Sequence, residues 1–176
     1  MLRLSAPDKN RHLVYLGLGS NINPEKSLRQ AIELLAQQVR VLSVSKAWKT
    51  SAVGSHGPDF LNAAVLIETE LPPETLKSYI LQPIEAKLGR VRTRDKNSPR
   101  TIDIDILVVN GLVHDQEIWR RAHLAMPLSE LNTTLAHPES GLAISEVARQ
   151  LSKMHPIYPQ LHVLIGTSNP HPDQSH

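Results

Sequence analysis

The run IDIDILVV, residues 102–109, alternates isoleucine with aspartate before closing on four apolar residues. Side chains on a strand alternate between its two sides, so Ile102, Ile104 and Ile106 enter a core while Asp103 and Asp105 project together from the opposite side. A strand of this kind belongs in an antiparallel sheet with one covered face and one open face. The remaining segments supply such a sheet. LVYLGLGSN (13–21) reads as a central strand ending in a turn, followed by a helix with Asn23 as N-cap, Pro24 in its first turn and Leu28, Ile32, Leu35 and Val39 on one face. VLSVSKAWKTS (41–51) and FLNAAVLIETE (60–70) read as two further strands around the loop AVGSHGPD.

Residues 73–88 then predict a second helix, opened by Pro72 and Pro73, apolar at Leu76, Ile80, Ile84 and Leu88, and stopped at Gly89. Pro83 removes the hydrogen bond to the Tyr79 carbonyl and should kink it. After the aspartate strand, Asn110-Gly111 predicts a tight turn, and PLSEL and ISEVARQL two short helices. The order strand, helix, strand, strand, helix, strand is that of an α+β ferredoxin-like βαββαβ sandwich, with helices on one face of an antiparallel sheet and the other face open to a ligand.

At 176 residues the chain fits one domain, read here as 13–165 between a polar leader (1–12) and a polar tail (166–176). The absence of cysteine excludes disulfides, thiolate metal sites and thiol catalysis, and fits a cytoplasmic protein. No run approaches the roughly 20 apolar residues of a membrane span. A net charge of +2 does not argue for nucleic acid, and one Phe, three Tyr and two Trp offer few stacking platforms for an RNA-binding surface.

The aspartates admit two readings: they keep an exposed strand face soluble, or they share a hard cation such as magnesium, which oxygen-only ligands favour. What precedes them matters. GRVRTRDKNSPR (89–100) sets Arg90, Arg92, Arg94 and Lys96 at every second position, with Arg100 beyond Pro99. That ladder is a solvated loop, a salt-bridge partner for the aspartates, or a clamp for a metal-bound polyphosphate.

SPRTIDIDIL, together with YLGLGSN, TSAVGSHGPDFLNAAVLIETEL and QPIEAKLGRVR in that order, resembles the 6-hydroxymethyl-7,8-dihydropterin pyrophosphokinases of folate biosynthesis. The resemblance runs from about Val14 to Leu131 and carries the same ferredoxin-like fold. It implies transfer of pyrophosphate from ATP to the pterin hydroxymethyl group, giving AMP and the pterin diphosphate. It implies two magnesium ions held by Asp103 and Asp105, and a catalytic set of Arg92, Arg100, Asp103 and Asp105. Nucleotide contacts are implied for Gln82, Glu85, Arg90, Arg92, Lys96, Arg100, Ile106 and Arg121. Pterin contacts are implied for Thr50, Val53, Gly54, Phe60, Asn62 and His123. ATP and a small pterin are the expected partners, with no nucleic acid or membrane, and the chain is expected to act as a monomer or weak dimer.

Several of these residues have a second reading. Phe60 also fits a core, Asn62 a turn, Thr50 a plain strand position, and Gly19, Ser20 and Asn21 fit either the turn after the first strand or a ligand contact. The chain also departs from the family pattern. The connection between Asp105 and Arg121 is short and lacks a Pro-His element; His123 stands where an aromatic packs on the pterin, Asn97 where tryptophan is common, and Ser98 where Gly or Ala is usual. His123 either stacks on the pterin or is a core residue, and Trp119 is a candidate replacement for the missing aromatic. The rival functions are a paralogue that acts on a related pterin and one that binds its ligands without turnover.

Overall fold

The computed structural model describes residues 10–51, 57–91, 99–131 and 133–164. Val53, Gly54, His56, Arg92, Arg94, Lys96, Asn97 and Ser98 lie outside the described residues, as do most of the leader and the tail.

β1 (His12–Ser20) forms the middle of the sheet, because it is apolar on both sides for most of its length. β4 (Phe60–Thr69) pairs antiparallel along one edge of it, and β5 (Asp103–Val109) along the other. The expected strand over 41–51 divides into β2 (Arg40–Val44) and β3 (Ala47–Thr50), both paired with β4. The break falls at Ser45, whose Oγ accepts from the Ala64 N–H at 2.8 Å and donates to the Lys46 carbonyl at 2.7 Å. A hydroxyl that satisfies a ladder N–H lets the strand bulge without leaving a buried donor unpaired.

Asn110 and Gly111 take positive φ angles of 50° and 81°, as a two-residue hairpin requires, and turn β5 into the short β6 (Leu112–Val113). β7 (Tyr158–Gln160) adds to β3, completing a seven-stranded antiparallel sheet. The frame is the ferredoxin-like one anticipated, with short outer strands that periodicity did not reveal.

α1 (Pro24–Ala36) covers one face, burying Leu28, Ala31, Ile32 and Leu35 against Val14, Leu16, Leu18, Val65 and Ile67. The second helical unit joins it on that face and has three parts: α2 (Pro73–Leu76), a π-helical turn over Lys77–Leu81, and α3 (Gln82–Lys87). Pro83 has no N–H to offer, and the turn before it widens so that the Gln82 N–H reaches the Lys77 carbonyl. The expected kink is thus a π bulge.

The other sheet face is open only in part. A 3₁₀ turn (Gln116–Trp119), α4 (Ala122–Ser129) and α5 (Ile144–Met154) enclose a second apolar cluster around Leu107, Val108, Ile118, Ala125, Leu128 and Leu151, with Tyr15 and Trp48 packed against it. α4 starts five residues earlier than PLSEL suggested, and Pro127 lies inside it. The uncovered part of this face is where the aspartates emerge. No described helix is long and apolar enough to cross a membrane.

Candidate active site

Register places the functional side chains. Asp103 on β5 lies opposite Gly19 on β1, Gly19 opposite Asn62 on β4, and Asn62 opposite Trp48 on β3. Residues directly across neighbouring strands project to the same face, so four strands present a continuous row reading Trp48, Asn62, Gly19, Asp103. Asp105 lies two residues further along, opposite Gly17, while Thr50 and Phe60 face each other at the other end. Ile104 is buried on the opposite face, as the alternation required.

Glycine opens the centre of the row. A Cβ at Gly19 would lie 3.2 Å from Asn62 Oδ1, a crowded contact that a side chain there would relieve only by pushing the amide a few tenths of an ångström. That amide is itself fixed: Asn62 Nδ2 donates to Thr50 Oγ1 at 3.0 Å and to the Trp48 carbonyl at 3.4 Å. A carbonyl can only accept, so the nitrogen is the atom turned toward β3.

Arginines converge on Asp103. Arg100 Nη1 donates to Asp103 Oδ2 at 2.6 Å, and Arg90 Nη1 pairs with Oδ1. Arg90 also donates to the Ile102 carbonyl at 3.0 Å and lies 3.5 Å from Glu85. Glu85, only 3% exposed, accepts the Ile104 N–H at 2.8 Å. Glu85 and Arg90 thereby close the outer backbone edge of β5 beside the aspartates. The Arg100 guanidinium lies 6.0 Å from the Phe60 ring centroid, which makes Phe60 a partner of an arginine.

Asp105 differs from its neighbour. It is crowded by protein atoms although solvent still reaches it, and this desolvation, with Asp103, Glu85 and Asp115 nearby and only a slight offset from Lys77, raises its pKa from 3.8 to about 6. A carboxylate in that condition favours an added cation. Among the described residues no group of three or more His, Cys, Asp and Glu encloses a metal. Two carboxylates on one open face suit an ion such as Mg²⁺, which completes its shell with water and phosphate oxygens.

Other expected contacts are not gathered here. Ile106 packs against the α1-side core, on the opposite side of β5 from Asp105. Gln82 is exposed at the start of α3. Arg121 is exposed and its Nε donates to Glu117 at 2.8 Å, four residues back, which turns it toward its own segment. His123, at the start of α4, is half-buried; desolvation first and Arg121 second push its pKa below 6.5, against the pull of Asp115 and Glu117. Trp119 does not replace the missing aromatic. It is 9% exposed within the second core, edge-on to His137 at 5.2 Å.

Trp48 is the aromatic that the row contains, and its place on the same strand side as Thr50 was available from alternation alone. Asp115 and Lys77, which bear on Asp105, carried no local signal.

The family model described as 7,8-dihydro-6-hydroxymethylpterin-pyrophosphokinase matches residues 15–133. A 2-amino-4-hydroxy-6-hydroxymethyldihydropteridine pyrophosphokinase of Methylorubrum extorquens is 40% identical over 154 residues, 81% of this chain and 93% of that protein. One from Porphyromonas gingivalis is 38% identical over 143 residues, 73% of this chain and 95% of the relative. A folic acid synthesis protein of Dictyostelium discoideum is 35% identical over 137 residues, but the match spans only 20% of its length. Among solved structures, the wild-type Plasmodium falciparum HPPK-DHPS with pterin and p-hydroxybenzoate superposes with a TM-score of 0.63 at 14% identity, covering 85% of this chain and 43% of that one. That likeness concerns the fold.

Proposed function

The chain belongs to the 7,8-dihydro-6-hydroxymethylpterin-pyrophosphokinase family, and from that membership we propose how its own residues perform the family's reaction. The reaction is transfer of pyrophosphate from ATP to the hydroxymethyl group of 6-hydroxymethyl-7,8-dihydropterin, yielding AMP and the pterin diphosphate used in folate synthesis.

The observation that carries the assignment of residues is the row across four strands, with Asp103 and its two arginines at one end and Asn62, Thr50 and Phe60 at the other. Asn62 orients the pterin edge by hydrogen bonding, Phe60 and Trp48 wall the ring, and Gly19 leaves room between pterin and aspartate. Asp103 and Asp105 would hold magnesium, which would supply charge neutralisation for the phosphates and lower the pKa of the substrate hydroxyl. Arg100 and Arg90 present guanidinium forks at the edge of the same site, where charge develops during transfer. Their pairing with Asp103 keeps both forks near the position the phosphates take. By the resemblance to the family, Arg92 and Lys96 are assigned to the nucleotide and Val53 and Gly54 to the pterin. Buried Glu85 supports the edge of β5.

On this reading the protein acts in the cytoplasm, as a monomer or weak dimer, on ATP and a small pterin. A chain that binds both ligands without turnover is the second reading, supported by Arg121 being tied to Glu117. One assay separates them: AMP release from ATP with and without the pterin, with Mg²⁺ and with excess EDTA. Pterin- and Mg²⁺-dependent AMP supports the pyrophosphokinase. Ligand binding with no AMP supports the second reading.

A further inference from the structure

Arg100 is held through its backbone by the turn at Asn21 and Ile22, and through its side chain by Asp103. Its N–H donates to Asn21 Oδ1 at 2.7 Å, and its carbonyl accepts from the Asn21 N–H at 3.1 Å and the Ile22 N–H at 3.3 Å. Both main-chain groups of this arginine are therefore spent on two residues of the β1–α1 turn. The turn is itself tied down: Ser20 Oγ and Ser27 Oγ donate to the Ile22 carbonyl at 3.3 and 2.9 Å, and the Ser27 N–H bonds the Asn23 carbonyl at 2.9 Å. Asn21 is 5% exposed. Because a backbone N–H only donates, the atom facing Arg100 is the amide oxygen, and the orientation of the amide is fixed.

We propose that Asn21 is a positioning residue for Arg100: its side chain fixes the backbone from which the guanidinium reaches Asp103 and the Phe60 ring. Asn21 touches no reacting group in this role. The proposal rests on the pyrophosphokinase reading for its kinetic consequence, and on the hydrogen bonds above for its structural one. Without the Oδ1 acceptor, the Arg100 N–H loses its partner and the arginine root gains freedom. A displacement of about 1 Å at a phosphate-facing group costs on the order of 100-fold in rate.

The test compares Asn21→Ala, which removes the acceptor, with Asn21→Asp, which keeps one, each alone and combined with Arg100→Ala. The expected result for Asn21→Ala is a fall in kcat of about 10- to 100-fold with the pterin KM changed by less than about threefold. Asn21→Asp should stay within about threefold of the parent. In the Arg100→Ala background, Asn21→Ala should change kcat by less than about threefold, since residues acting as one unit are not additive. Full multiplication of the two losses, or equal damage from Asn21→Asp and Asn21→Ala, would overturn the proposal.

Hydrogen exchange at the Arg100 amide gives a readout independent of turnover, expected to quicken at least about tenfold in Asn21→Ala and not in Asn21→Asp. Unchanged exchange at that amide also overturns the proposal. If the parent makes no AMP, the pyrophosphokinase reading fails, while the exchange comparison still decides whether Asn21 holds Arg100. Should the alanine variant not fold, Asn21→Ser, with a shorter acceptor, carries the same comparison.

Discussion

Replacing Asp105 with asparagine should make the protein more stable while ending turnover. The side chains have nearly the same shape, so the change removes charge and little else. In the ligand-free chain that charge is a liability: desolvation and the nearby Asp103, Glu85 and Asp115 raise the Asp105 pKa from 3.8 to about 6, with Lys77 as the weak offset. A raised carboxylate pKa means that the folded state holds its proton more tightly than the unfolded chain does. The stability this confers is complete below pH 3.8 and is lost as pH rises through 6. At neutral pH, allowing for the screening of a carboxylate that solvent reaches, the penalty is about 1–2 kcal/mol. Relief of it should raise the melting temperature by about 2–8 °C for a domain of this size. The assay is thermal unfolding of both proteins in EDTA from pH 4 to pH 8. The advantage of asparagine should grow between pH 4 and 6 and level off above. An Asp105→Asn protein that is no more stable at pH 7, or whose gain does not vary with pH, would refute the reasoning.

Glu85→Leu should cost about 3 kcal/mol in urea denaturation, the low end for a broken buried pair because Arg90 keeps Asp103 as a partner. Gly19→Ala should raise the KM for the pterin several-fold more than that for ATP, since the new Cβ presses on Asn62 Oδ1; equal effects on both would count against the row. The His123 imidazole, followed by NMR, should titrate below 6.5, and stability should therefore decline as pH falls through 6.5, opposite in sign to the Asp105 effect. A His123→Gln protein that keeps the full decline would assign it elsewhere.

Much of this architecture is readable from alternation and spacing, because β1, β4, β5 and α1 each bury a face of matching period. The Asp103 and Asp105 pairing and the approach of Arg90 and Arg100 follow from neighbouring segments, so local sequence suffices for them. The remainder depends on partners far apart in the chain. Asn21 and Arg100 are separated by 79 residues, and no spacing rule connects a turn asparagine to an arginine N–H. Likewise the hydrogen bond from the Ile104 N–H to Glu85 joins residues 19 apart, which no local pattern signals. Ser45 splits one expected strand because a hydroxyl replaces a ladder acceptor, which composition does not reveal. The second core forms from residues after 115, where helix and turn signals are short and the covering of Leu107 and Val108 is set by tertiary packing. Trp119, a candidate replacement for the missing aromatic, packs in the second core, while Trp48 lies in register with Asn62.

The most direct test of the central claim is ³¹P NMR of the products formed from ATP, Mg²⁺ and 6-hydroxymethyl-7,8-dihydropterin. The account predicts paired resonances of a pterin diphosphate appearing together with AMP, and their absence with Asp105→Asn. ADP with a pterin monophosphate, or product formation that survives Asp105→Asn, would contradict it.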